Sequence, residues 1–98
     1  MSMLIVIAVV KAKPEKVGSL RPVLRALLAP TLAEEGCVRY EMNEIEGGGV
    51  WVFTEQWESK ALWEQHMSSK HLEGFKAVAD EMVASFELYT GALIRQPG

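Results

Sequence analysis

The chain has 98 residues, 49% of them hydrophobic, and 10 basic against 13 acidic side chains give it a net charge of −3. That is one domain's worth of chain, residues 1–98, with a modest core. Its acidic balance argues against nucleic acid, whose binders present a basic field. The single cysteine, Cys37, cannot form an internal disulfide, which fits a cytoplasmic protein.

The run Leu4–Val10 is apolar and β-branched at both parities, which predicts a strand covered on both faces. It is too short to span a membrane and has no basic segment before it. Lys13-Pro14-Glu15 opens a helix, with Pro14 at the first helical position and Glu15 near the positive end of the dipole. Val17, Leu20, Leu24, Leu27, Leu28 and Thr31 recur at three-to-four spacing as its buried stripe. Pro22 removes the bond to the carbonyl of Gly18, so a kink rather than a break is expected there. Gly36 then suits a left-handed helix end.

Cys37 to Ile45 alternates Val38, Tyr40 and Met42 against Arg39, Glu41 and Asn43, a strand with one dry face. Glu46-Gly47-Gly48-Gly49 is a hairpin turn. The return strand, Val50 to Trp57, puts Trp51, Phe53, Glu55 and Trp57 on one side. Ser59 can cap a helix from Lys60 to about Met67, and Ser68-Ser69 can end it and cap a second. That second helix carries Leu72, Phe75, Val78, Ala79, Met82 and Val83 as its stripe. A last strand, Phe86 to Ile94, precedes Pro97-Gly98. The order β-α-β-β-α(α)-β predicts an α+β domain with a four-stranded antiparallel sheet and helices on one face. The first strand's second apolar face then needs a cover, and a second copy of the chain is the simplest, so a homodimer is expected.

Few residues carry chemistry. The three glycines lack the Lys-Ser/Thr and the helix of a phosphate loop, and no Cys-x-x-Cys or Gly-x-Ser-x-Gly occurs. Nothing in the sequence supports a nicotinamide or flavin site. One cluster remains: Trp57, then His66 and His71 on either side of the Ser68-Ser69 break, then Phe75. Two histidines aimed at one cavity would be an acid–base pair, and the opposing reading is two surface residues at a helix junction. With a carboxylate such as Glu55 they would make a metal triad, which the spacing does not demand, so no metal is expected. Glu55 either reaches water at the sheet edge or sits in an apolar pocket with a raised pKa. Tyr40 is a further pocket neighbour. Cys37 reads as a packing residue rather than a nucleophile.

The stretch Trp57-Glu58-Ser59, Leu62, His66-Met67-Ser68-Ser69-Lys70-His71 and Phe75 is similar to the W-x-S…H-x-x-S-x-H…F signature of small antibiotic biosynthesis monooxygenase domains. Ala29-Pro30-Thr31 and Glu35-Gly36-Cys37-Val38-Arg39-Tyr40 match the same family's first helix end and second strand. The resemblance implies a ferredoxin-like homodimer of the dimeric α/β-barrel type. It also implies a pocket between sheet and helices, and oxidation of a quinol or polycyclic phenol by O2 without a bound cofactor. The catalytic residues would be His71 and His66, with His71 the preferred base because it opens the second helix facing Phe75, and Trp57, Phe75, Tyr40 and Glu55 would hold a small aromatic substrate. Haem-degrading relatives carry an asparagine on the first strand, and Ile5–Val10 has none. Two alternatives stand beside oxygenation: an isomerase or epimerase of a small carbonyl compound, and a non-catalytic small-ligand-binding dimer.

Overall fold

The computed structural model describes residues 3–94. The first strand, β1, spans Leu4–Ala12. A 3-10 turn at Pro14–Lys16 leads into α1, Val17–Arg25, and α2, Leu28–Leu32. The hairpin β2, Cys37–Glu44, and β3, Val50–Trp57, follows. Helices α3, Lys60–Met67, and α4, Lys70–Met82, run into β4, Val83–Ala92. The sheet is antiparallel throughout, in the order β2-β3-β1-β4. This is the α+β, ferredoxin-like arrangement. No helix among the described residues is long and apolar enough to cross a membrane.

The period-two pattern of each strand decides which side meets the helices. On β1 that side is Val6, Ala8, Val10 and Ala12, all buried, while Ile5, Ile7 and Val9 on the other side are half-buried. On β3 it is Trp51, Phe53, Glu55 and Trp57, buried without exception. Strand β4 differs, because every residue after Val83 is exposed, with Phe86 at 49%, Leu88 at 38% and Tyr89 at 55%.

Three departures from the sequence reading have local causes. The first helix runs unbroken through Pro22 to Arg25, as expected, but an interruption that the sequence did not predict falls at Ala26–Leu27. Pro30 supplies the reason: it cannot bond the Ala26 carbonyl and its ring crowds it. The amide of Leu27 accordingly donates to Leu24, a tighter three-residue closure, at 3.1 Å. On β2 the pairing shifts register between Cys37 and Arg39. Cys37 therefore takes the inward position opposite Trp57, and Val38, expected on the dry face, is 47% exposed. The last strand begins at Val83, directly on the end of α4, rather than at Phe86; Pro97 and Gly98 lie outside the described residues.

Two contacts fix the ends of the layers. Arg21 on α1 holds Glu44 at the end of β2 with two hydrogen bonds, 2.8 and 3.0 Å, and Trp51 Nε1 donates to the same carboxylate. Gly36 has φ +85°, and a Cβ there would run into the side chain of Leu62. Glycine is thus required where the chain leaves α2, by backbone conformation and by space.

Candidate active site

Two serine caps build the site. Ser59 accepts from the Leu62 amide to start α3, and Ser69 accepts from the Leu72 amide to start α4. The Ser69 hydroxyl also donates to the carbonyl of His66, 2.7 Å away. The break between the helices is therefore a fixed joint, and it sets the two histidines relative to each other.

They converge, but on Glu34, in the turn between α2 and β2. Glu34 Oε2 lies 2.6 Å from His66 Nδ1 and 2.8 Å from His71 Nε2. A carboxylate can only accept, so both nitrogens carry hydrogens. His66 is 2% exposed. Trp57 lies against it with ring centroids 4.8 Å apart, and Tyr40 meets it edge-on at 5.6 Å. Burial lowers the His66 pKa below its ordinary value, and Glu34 opposes that shift. His66 is thus a neutral imidazole with its proton on Nδ1, which leaves the lone pair on Nε2. That atom makes no hydrogen bond to any described residue.

Beside it lies a cavity of about 260 Å³ between the sheet and helices α3 and α4. Tyr40, Glu55, His66 and Phe75 line it, together with Trp63 and Lys76. Its remaining walls are aliphatic or aromatic. Glu55 takes the second of its two predicted places: it is 5% exposed and accepts from Trp57 Nε1 at 2.9 Å. Burial raises its pKa to about 7, against the opposing hydrogen bond from Trp57. Burial likewise pushes the Cys37 thiol up to about 11, which suits packing and not nucleophilic attack.

Four of the six residues expected at the site, Tyr40, Glu55, His66 and Phe75, line this one cavity. Trp57 and His71 stand behind the wall instead, Trp57 fully buried against His66 and Glu55, and His71 on Glu34. The sequence reading missed Glu34 and Lys76. Glu34 looked like an ordinary acidic helix end, and nothing in its local spacing points to residues 32 and 37 positions away. Lys76 sits one position after Phe75 on the wetter side of α4, and its Nζ donates to the Met67 carbonyl at 2.7 Å.

The carboxylate that joins the histidines is Glu34, where the sequence suggested Glu55. Glu34, His66 and His71 are also the described residues able to offer three metal ligands together, within 4.8 Å of one another. The 2.6 and 2.8 Å separations are those of direct, charge-assisted hydrogen bonds.

The sequence pattern of the antibiotic biosynthesis monooxygenase family matches residues 3–78. The chain belongs to that family. It is 33% identical, over 80% of its own length and 77% of the relative's, to the Mycobacterium tuberculosis protein named "Putative monooxygenase Rv0793". The solved structure of Rv0793 superposes with a TM-score of 0.90 at 28% identity, covering 99% of this chain and 100% of that one. The crystal structure of PA3566 from Pseudomonas aeruginosa gives 0.93 at 26% identity, covering 97% of each chain. The whole architecture is thus shared, including β4, which lies beyond the matched residues.

Proposed function

We propose that the protein is a cofactor-independent monooxygenase that oxidises a quinol or polycyclic phenol with O2, acting as a cytoplasmic homodimer. The observation that carries this reading is the 2.6 Å bond from His66 to Glu34 beside an apolar cavity. It holds the imidazole in the tautomer whose lone pair is free, so His66 can take a proton from a phenol in the cavity. His71 is the supporting residue in this scheme, fixing Glu34 from its other side. Size limits the substrate. An apolar cavity of about 150 Å³ accepts a benzene ring, so about 260 Å³ suits one or two fused rings better than a larger system.

A neutral phenol reacts slowly with triplet O2. Its phenolate is a far better one-electron donor. After His66 Nε2 removes the proton, one electron passes to O2, giving a phenoxyl radical and superoxide. The two combine at a hydrogen-bearing ring carbon ortho or para to the oxygen, forming a C–O bond. Loss of that carbon's hydrogen and cleavage of the O–O bond then leave a quinone and one water. One oxygen atom of O2 ends in each. Dry walls keep water from solvating the anion.

The test is oxygen consumption by chelator-stripped protein with a panel of naphthols and quinols, wild type against His66→Phe. General-base catalysis is worth about 10²–10⁴-fold, so the variant should lose at least the lower figure with its fold retained. If no member of the panel is consumed, the isomerase and ligand-binding readings take its place.

A further inference from the structure

The cavity holds a second titratable group that the proton abstraction above does not use. Glu55 is 5% exposed and lines the cavity from β3. One of its oxygens accepts from Trp57 Nε1 at 2.9 Å. No lysine, arginine or histidine among the described residues pairs with it. An ionised carboxylate with one neutral donor and no cation is costly in an apolar site, so below about pH 7 the group holds a proton. The neutral acid then has an O–H to give. No side chain among the described residues accepts it. The cavity that Glu55 lines is where a ligand oxygen could accept it.

We propose that Glu55 is a neutral hydrogen-bond donor to bound substrate, and that the site selects aromatic molecules carrying two oxygens. One is a hydroxyl that gives its proton to His66 Nε2; the other is an ether, carbonyl or second hydroxyl oxygen that accepts from the Glu55 carboxyl. This rests on the monooxygenase reading for the role of the first oxygen, and it adds the second. Trp57 ties the two groups together: its ring lies 4.8 Å from that of His66, and its Nε1 holds Glu55. Where that second oxygen is a conjugated carbonyl, negative charge spreads from the phenolate oxygen onto it in the oxidation. The Glu55 donor then stabilises the anion more than the neutral phenol, which is what a catalytic hydrogen bond must do.

Burial, with the charge of Glu34, favours the neutral form of Glu55 and outweighs Trp57 Nε1–H, which favours the ionised form. Tyr40 stands directly across on β2, and its own ionisation is raised by burial and by Glu55. Cys37 lies further along β2, Glu34 in the preceding turn, His66 on α3, and Lys76 at the α4 wall. The charge of Glu34 opposes ionisation of Glu55. The Lys76 ammonium is engaged by the Met67 carbonyl. β1 contributes only Val6 opposite Glu55.

Binding under anaerobic conditions tests this without relying on turnover. The probes are 1-naphthol and its 4-methoxy and 8-methoxy derivatives, titrated against the full chain by tryptophan fluorescence from pH 5 to 8.5. At pH 6 a methoxynaphthol should bind wild type about tenfold tighter than 1-naphthol, the upper end for one hydrogen bond. That advantage should decline as pH rises through 7. Glu55→Gln keeps both an acceptor for Trp57 and an N–H donor, so it should preserve the advantage and make it independent of pH. Glu55→Met should abolish the advantage while 1-naphthol still binds. Equal binding of all three probes to wild type, or an advantage unchanged from pH 5 to 8.5, would overturn the proposal. Binding that behaves as expected with no oxygen uptake in air would support this recognition and count against the oxygenase reading.

Discussion

Glu34 Oε2 lies 2.6 Å from His66 Nδ1, although the two residues are 32 positions apart in the chain. That bond selects one tautomer of a buried imidazole, so its loss has a definite cost. Glu34→Gln keeps the shape but can present an amide N–H to Nδ1, which would favour the opposite tautomer with Nε2 protonated. Phenol-dependent oxygen uptake should fall by about 10²-fold, within the range for losing a positioned base, while thermal stability changes little. Uptake in Glu34→Gln equal to wild type would remove His66 from the role of base.

Removing His71 should do less. Its Nε2 touches Glu34 and the Ser69 hydroxyl, and it does not line the cavity. His71→Asn should lower kcat by about tenfold and leave KM for a naphthol near the wild-type value, as expected for a group acting through another. A larger loss than that of His66→Phe would reverse the assignment.

Chelation separates hydrogen-bonded from metal-centred use of the same three side chains. Exhaustive treatment with EDTA should leave oxygen uptake unchanged. Activity that disappears and returns on adding a divalent ion would make Glu34, His66 and His71 ligands.

Glu55 makes stability depend on pH in a definite direction. Its pKa rises from 4.5 to about 7 on folding. Between those values the unfolded chain releases a proton that the folded chain keeps, so stability falls as pH rises from 4.5 to about 7 and is level above. At roughly 1.4 kcal/mol per pH unit the total is about 3 kcal/mol. His66 acts in the opposite sense, because its pKa is lowered from 6.5: its contribution is complete above that value and is lost as pH falls below it. Urea unfolding of Glu55→Gln should therefore show a gain of about 2–3 kcal/mol at pH 8 and almost none at pH 4.5. Equal effects at both values would mean that Glu55 is ionised in the fold.

The open side of the sheet predicts association. Ile5, Ile7 and Val9, with Tyr89 beside Ile7 on β4, leave apolar surface that faces away from the helices. Sedimentation equilibrium at micromolar concentration should give about twice 10.9 kDa, and Tyr89→Glu should shift it toward the monomer. A monomer in the wild type would count against the dimer.

The elements and their order are legible in the chain, because those are set by local physics. The alternation in Val50–Trp57 places Trp51, Phe53, Glu55 and Trp57 on one face as read, and all four are buried. Ser59 and Ser69 cap the helices they were expected to cap, and all three turn glycines after Glu46 take positive φ. Where two local signals compete, local pattern misleads: the helix passes Pro22 unbroken but is interrupted because of Pro30, and a shifted register turns Val38 outward. The site was legible only in part. A histidine pair beside an aromatic strand is visible in the chain, but which histidine lines the cavity is not. That was decided by Glu34, brought to His66 and His71 by the packing of the α2–β2 turn against the α3–α4 joint. The state of Glu55 depends in the same way on tertiary structure, since its pKa is raised by burial that no single segment supplies.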